Sequence, residues 1–257
     1  MDPLVDAAWL AGELGGGLWQ RIETVAEIGS TNAVLGERAR AGAPSGAVLV
    51  SDHQSRGRGR FTRVWEAPPG RSLAVSVLLR PPAVPPQRWL WLPIVAGLAV
   101  ADGVRAATGV DARLKWPNDV LIEGRKVCGI LAERVDGTPP AVVIGMGINT
   151  LLSAEELPVP TATSLALAGA EVVPGEVVRE VLRAFEGWYR AWAGGEDLRE
   201  AYALRCDTVG REVRVVVSET ETVEGTAIGV DPDGQLLVRT GEHRLRAFSA
   251  GDVWHLR

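Results

Sequence analysis

The sequence predicts an α+β fold, with a large domain of mixed or antiparallel strands and helices over residues 1–208 and a small β-barrel domain over residues 209–257. Three observations carry this. Apolar stretches of strand length alternate with stretches of helical spacing up to about residue 205, and from about Gly210 the texture changes to short β-rich runs. The 257 residues are enough for one large core and one small one. Hydrophobic residues at 46% and charged residues at 23% describe a folded globular chain rather than a disordered one.

The elements follow in order. "RIETVAEIGS" from Arg21 alternates as a strand, and "STNAVLGERARAG" reads as a short helix that Ser30 or Thr31 caps and Gly42 ends. "AVLVSD" is a buried strand, and "RSLAVSVLLRP" is another, with Leu73, Val75, Val77 and Leu79 on one face. Beyond the proline-rich break "RPPAVPPQ", residues 89–107 suit a buried helix. "ARLKWPNDVLIEGRKVCGILAERV" reads as strands broken at Trp-Pro-Asn-Asp and at a Glu123–Gly124 turn, and "AVVIGMGIN" as a further strand. Residues 175–193 and 196–205 have helical spacing. "REVRVVV", "TVEGTAIGV", "GQLLVRT" and "RLRAFSA" are the short strands of the second domain, with a turn at Asp231–Gly234 and a domain junction near Thr208.

Composition excludes several classes of function. A net charge of −5 argues against a general nucleic-acid binder, which needs a domain-wide basic face. Cys128 and Cys206 are the only cysteines, and His53, His243 and His255 do not cluster with them, so neither a disulfide framework nor a zinc site is expected and a reducing cytoplasm fits. The acidic N-terminus lacks an export signal, and no apolar run is expected to approach membrane-spanning length. Of the 27 basic residues only Lys115 and Lys126 are lysines, which suggests positions where a compact ammonium does what a planar guanidinium does not; chance clustering gives the same pattern.

Three motifs carry chemistry. "HQSRGRGRFTRVW" (53–65) places Arg56, Arg58, Arg60 and Arg63 among glycines, between two strands. Guanidinium forks on such a loop can wrap a carboxylate or phosphate, while a solvated loop or an RNA-contact patch would read the same. "KWPNDV" (115–120), followed by "RKVCGIL" (125–131), presents Asn118 and Asp119 at a strand end and Lys126 on the next strand, a set suited to phosphate with a divalent cation or to an ordinary polar hairpin. "GMGIN" (145–149) is half a dinucleotide fingerprint with Thr150 where the third glycine belongs, and no P-loop motif occurs anywhere. Cys128 has no histidine near it in sequence and reads as a small buried residue rather than a nucleophile.

In the order STN, QxxGRGRxxRxW, KWPND, KxxGIL and GxGIN, followed by a small β domain, the chain resembles the biotin protein ligases from about Ile22 to Val253. The resemblance implies a class II aminoacyl-tRNA-synthetase-like catalytic domain with an SH3-like C-terminal barrel. It also implies a two-step reaction: biotin and ATP, with Mg²⁺, give biotinyl-5′-AMP, and biotin then passes to a lysine of the biotin carboxyl carrier domain of an acyl-CoA carboxylase. By the family pattern Lys126, Arg58, Arg60 and Asp119 are catalytic. Ser30, Thr31, Asn32, Gln54, Gly57, Gly129 and Gly145 join Arg58, Arg60 and Lys126 around biotin. Arg58, Arg60, Arg63, Trp65, Asn118, Lys126 and Asn149 hold ATP, and Asn118 and Asn149 the metal. The chain departs from the pattern at Arg56, Thr62 and Glu66.

About twenty residues precede the first catalytic strand, too few for the winged helix-turn-helix of bifunctional family members, so no operator DNA and no membrane partner are expected, and a homodimer is compatible. The nearest rival is a lipoate or octanoate ligase or transferase of the same architecture. A non-enzymatic RNA- or nucleotide-binding module is the rival of a different class.

Overall fold

The protein is described here by a computed structural model covering residues 2–61, 63–82, 84–241 and 244–256, so Thr62 and His243 lie outside the described residues. A helix with no counterpart in the sequence reading, α1 (Ala7–Leu14), opens the chain, with the Asp6 carboxylate accepting from the N–H groups of Ala8 and Trp9. Strand β1 (Arg21–Val25), helix α2 (Thr31–Arg40) and strands β2 (Ala47–Ser51) and β3 (Ser72–Leu79) follow. A 3-10 turn over Pro86–Leu90 leads into α3 (Trp91–Thr108). Strands β4 (Arg113–Lys115), β5 (Asp119–Ile122), β6 (Arg125–Val135) and β7 (Ala141–Asn149) precede α4 (Pro174–Ala193) and α5 (Arg199–Arg205). Among the described residues these strands form a seven-stranded sheet of order β1-β2-β3-β7-β6-β5-β4, parallel only at β1–β2. The β5–β6 hairpin turns on Glu123 (φ 50°) and Gly124 (φ 77°), the positive-φ pair that a two-residue hairpin loop demands.

Alternation along β3 predicts one buried face, yet all eight of its residues are buried. Leu73, Val75, Val77 and Leu79 join the main core with α3 and α4, while on the opposite face Leu78 packs with Val143, Leu49 and the α2 residues Leu35 and Ala39. The sheet is therefore covered on both sides at one end. The segment Pro86–Thr108 corrects the expectation about apolar runs: by length and composition it could cross a membrane, but most of it is buried as the central core helix.

The second sheet comprises β8 (Glu212–Val216), β9 (Thr222–Val230), β10 (Leu236–Arg239), β11 (Leu245–Phe248) and β12 (Asp252–His255), in the antiparallel order β11-β10-β9-β8-β12. β12 leaves no sign in the sequence, because four residues after a glycine make too short a pattern to read. It is fixed by pairing with β8 along its length. Where the two sheets meet, the Trp116 N–H donates to Thr208 Oγ1 at 3.1 Å, and His255 Nε2 lies 3.1 Å from the same oxygen. Burial first, then the charges of Lys115 and Arg211, lowers the His255 imidazole from 6.5 to about 4. The unfolded chain thus takes up a proton on His255 below pH 6.5 and the folded chain only near pH 4, so this contribution to stability is complete above pH 6.5 and is lost as pH falls towards 4. His255→Gln is expected to flatten that part of the stability profile; urea denaturation at a series of pH values checks it, and an unchanged slope would refute the assignment.

Candidate active site

The pocket lies on the part of the sheet that α2 leaves uncovered. Directly paired residues share a face of an antiparallel sheet, so the register builds two rows across its floor: Ser76–Gly145–Leu131, and Ala74–Gly147–Gly129 continuing to Asp119. Small side chains in these rows leave a cavity of about 140 Å³. Two of the glycines are sterically required. A Cβ on Gly145 would stand 2.4 Å from Asn32 Oδ1, and one on Gly147 would stand 2.7 Å from the Trp65 ring.

Lys126 reaches this face through an irregularity. In an unbroken strand Lys126 and Gly129, three positions apart, would face opposite sides. The register of β6 shifts by one residue opposite Val120 and Leu121, a β-bulge that re-aims the lysine, and Lys126 lines the pocket together with Gly129. Its Nζ is 2.6 Å from Asp119 Oδ1, an ion pair rather than a formed hydrogen bond, since that buried oxygen has no hydrogen-bond partner. The second lysine, Lys115, is close enough to be felt: burial lowers its ammonium pKa, Asp119 opposes the shift and Lys126 adds to it. Both lysines of the chain therefore act on one carboxylate.

One end of the pocket is a polar network of the buried, uncharged Ser30, Thr31, Asn32, Gln54 and Ser76, with the half-buried Glu133 at its edge. Gln54 Oε1 accepts from the Thr31 N–H at 2.8 Å and from its hydroxyl at 2.9 Å. Ser76 Oγ lies 2.7 Å from both Thr31 Oγ1 and Asn32 Oδ1. Asn32 Nδ2 donates to the Leu131 carbonyl and to Glu133 Oε2. Ser30 caps α2 through its hydroxyl while lining the cavity.

The other end is the arginine loop. Its first residues extend β2 alongside the continuation of β1, with the Ser55 N–H donating to Ile28 O and the Arg56 N–H to Gly29 O. It then folds into a small hairpin: the Trp65 N–H donates to Gly57 O at 3.1 Å and the Gly59 N–H to Arg63 O at 2.7 Å. Arg58 pairs with Glu133 at 3.1 Å. Arg60 Nη1 donates to Asn118 Oδ1 at 3.0 Å, both Nη atoms donate to Gly251 O at 3.2 Å, and Asp252 lies 3.9 Å away. Arg63 pairs with Asp252. Burial lowers the Arg60 pKa, Asp252 and Asp119 working against the shift. Each of the four cations lining the pocket thus has a carboxylate partner.

Of the expected residues, Ser30, Thr31, Asn32, Gln54, Arg58, Arg60, Arg63, Trp65, Asn118, Asp119, Lys126, Gly129 and Gly145 line this one cavity. Gly57 does not line it; it closes the hairpin base beneath Trp65. Asn149 lies at the end of β7, where its Nδ2 donates to Thr163 O, a bond that does not use the amide oxygen a metal would need; it is not among the residues lining the cavity. Arg56 lies across Gly29, outside the lining. Sequence reasoning misses Ser76, Glu133, Gly251 and Asp252, whose partners are distant in the chain. Only the register of the strands brings them in. Cys128 is buried beneath the floor, which raises its thiol to about 12, so it is no nucleophile. Among the described residues no cluster of three or more His, Cys, Asp or Glu could hold a metal ion.

Comparison with known proteins bears on this site. The model of the biotin/lipoate A/B protein ligase family matches residues 25–149, and that of the biotin protein ligase C-terminal domain matches residues 208–256. The whole chain is 40% identical to a biotin–acetyl-CoA-carboxylase ligase of Mycobacterium tuberculosis, covering 98% of that protein. Over 87% of the chain it is 36% identical to the bifunctional ligase/repressor BirA of Bacillus spizizenii, covering 70% of that longer protein. A biotin protein ligase from Aquifex aeolicus, solved in complex with biotin and ATP, superposes with a TM-score of 0.78 at 26% identity, over 93% of this chain and all of that one.

Proposed function

This chain belongs to the biotin/lipoate A/B protein ligase family, as a biotin protein ligase, and from that premise we propose how its residues divide the work of the reaction. The enzyme forms biotinyl-5′-AMP from biotin and ATP and then transfers biotin to a protein lysine. One observation carries the division of roles: a neutral hydrogen-bonding network at one end of a single cavity and three guanidinium groups with an ammonium at the other. Such a cavity takes an uncharged polar ring at one end and two anions at the other.

Thr31, Asn32 and Gln54, braced from behind by Ser76, hold the ureido ring, whose carbonyl and N–H groups match a buried array of acceptors and donors. The biotin carboxylate and the α-phosphate meet at Lys126 and Arg58. A carboxylate oxygen bonds to the α-phosphorus, the bond to the bridging oxygen breaks and pyrophosphate leaves. The fixed cations offset the repulsion between the two anions in a site already arranged to do so. Arg60 and Arg63 face the outer phosphates, and Trp65, lying on Gly147, packs against the adenine. In the second step the acceptor amine bonds to the acyl carbon and AMP leaves with the electron pair; Asp119 orients the amine and takes its proton.

A Mg²⁺ ion fits as a passenger on the triphosphate. The hard oxygen donors of Asp119 and Asn118, both lining the cavity, would hold it in place of their present contacts with Lys126 and Arg60, and it would neutralise charge gathering on the pyrophosphate. The acceptor we propose is the carrier domain of an acyl-CoA carboxylase, in keeping with the carboxylase named for the Mycobacterium tuberculosis relative. Two free, buried cysteines accord with a reducing cytoplasm.

Pyrophosphate release is expected to require ATP and biotin together, to fall to background with lipoate or octanoate in place of biotin, and to stop when EDTA removes divalent cations. Release with lipoate alone would overturn the substrate assignment, and undiminished release in EDTA would overturn the metal.

A further inference from the structure

We propose that Asp252, on the last strand of the second sheet, is a positioning residue for adenylate formation, holding Arg60 and Arg63 at the pocket mouth with their remaining donors free for phosphate. The inference rests on the assignment of these two arginines to the nucleotide's phosphates.

The tip of the arginine loop has little of its own to hold it. Phe61 and Val64 are 69% and 67% exposed, so neither side chain is packed into the core, and Phe61 takes a left-handed φ of 58°. Asn118 of the first domain accepts from Arg60, and the other contacts reaching across to the tip come from the second sheet. Gly251 O accepts from both terminal nitrogens of Arg60, and Asp252 pairs with Arg63 while standing 3.9 Å from Arg60. Asp252 is the first residue of β12 and pairs with Val216 in the β12–β8 ladder, which fixes its backbone opposite the loop. The geometry leaves work for the guanidinium groups. Arg63 engages Asp252 through Nη2 alone, so its Nε and Nη1 donors stay available, and a fork held at one nitrogen is aimed at the others. Unheld, the Arg63 side chain, which is 61% exposed, would sample many rotamers and lose that freedom on each binding event. The separation of 189 residues between Arg63 and Asp252 means that the second domain completes a site whose other parts come from the first.

An exposed ion pair sets the scale, so Asp252→Ala is expected to raise the KM for ATP about two- to five-fold, with kcat at saturating ATP and the KM for biotin unchanged. Asp252→Asn, which keeps an acceptor, should fall between Asp252→Ala and wild type. In the ligand-free protein, tryptic cleavage after Arg60 and Arg63 should quicken by a similar factor in Asp252→Ala, because each cut requires the tip to open. A KM for ATP that falls, showing that Asp252 competes with the phosphates, or a cleavage rate equal to wild type, would overturn the proposal. Arg63→Ala separates the two readings: an unchanged KM for ATP there refutes the phosphate assignment, while the tryptic rates still judge Asp252.

Discussion

Lys126→Arg is expected to slow biotin-dependent pyrophosphate release about 10²- to 10³-fold although it keeps the positive charge, the scale on which losing one preorganised electrostatic contact costs an enzyme. The lysine reaches the pocket only because β6 carries a bulge, and its ammonium sits between Asp119 and the floor at Gly129. A Cβ at Gly129 would stand 3.0 Å from Lys126 Cε and Nζ, so the lysine lies close on the floor, and a longer planar fork with its own directional demands would set its charge at a different point. The fold should be spared, because the hydrogen bonds that tie this segment to residues 161–163 run through the Lys126 backbone N–H and carbonyl. A melting temperature close to wild type would confirm that. Transfer from synthetic biotinyl-5′-AMP should be far less affected than its formation, and wild-type pyrophosphate release in the variant would mean the ammonium has no special part.

The second large effect falls on biotin. Gly145→Ala puts a methyl group 2.4 Å from Asn32 Oδ1 at the centre of a sheet that cannot yield, so Asn32 has to move. Its displacement breaks contacts to Ser76, Leu131 and Glu133 together. Leaving one such buried polar group unpaired costs about 1–3 kcal/mol, so the KM for biotin should rise about tenfold or more. Gly187→Ala is the control: a methyl group at this position on α4 would have nothing within 4 Å, and the variant should leave KM untouched while slightly stabilising the helix. Equal biotin KM values in the two variants would show that the Asn32 network does not hold the ring.

What can be read from the sequence is what is local in it. The arginine loop announces itself because glycines and guanidinium groups alternate within thirteen residues, and the strands around it show through their apolar alternation. The neutral end of the pocket is partly legible, since Ser30 to Asn32 and Gln54 belong to contiguous motifs. Ser76 is not, because within β3 it reads only as an interruption of a hydrophobic run. Glu133 and Asp252 are equally hidden: each meets its arginine through pairing across 75 and 189 residues. The bulge that turns Lys126 inward also leaves no mark in residue types, and the second buried face of β3 depends on α2 docking there, which alternation does not foresee. Asn149 shows the reverse: its motif suggests the pocket, while its place at the end of β7 leaves it outside the lining, with Nδ2 donating to Thr163 O.

The matching of carboxylates to cations has one more consequence. Glu133, Asp252 and Asp119 already answer Arg58, Arg60, Arg63 and Lys126, in a chain whose net charge is −5. Three carboxylates against four cations leave one positive charge in excess, so beyond a Debye length, about 8 Å at physiological ionic strength, such a mouth carries only a weak field. Long-range attraction of nucleotides is therefore weak, and their association should respond little to added salt.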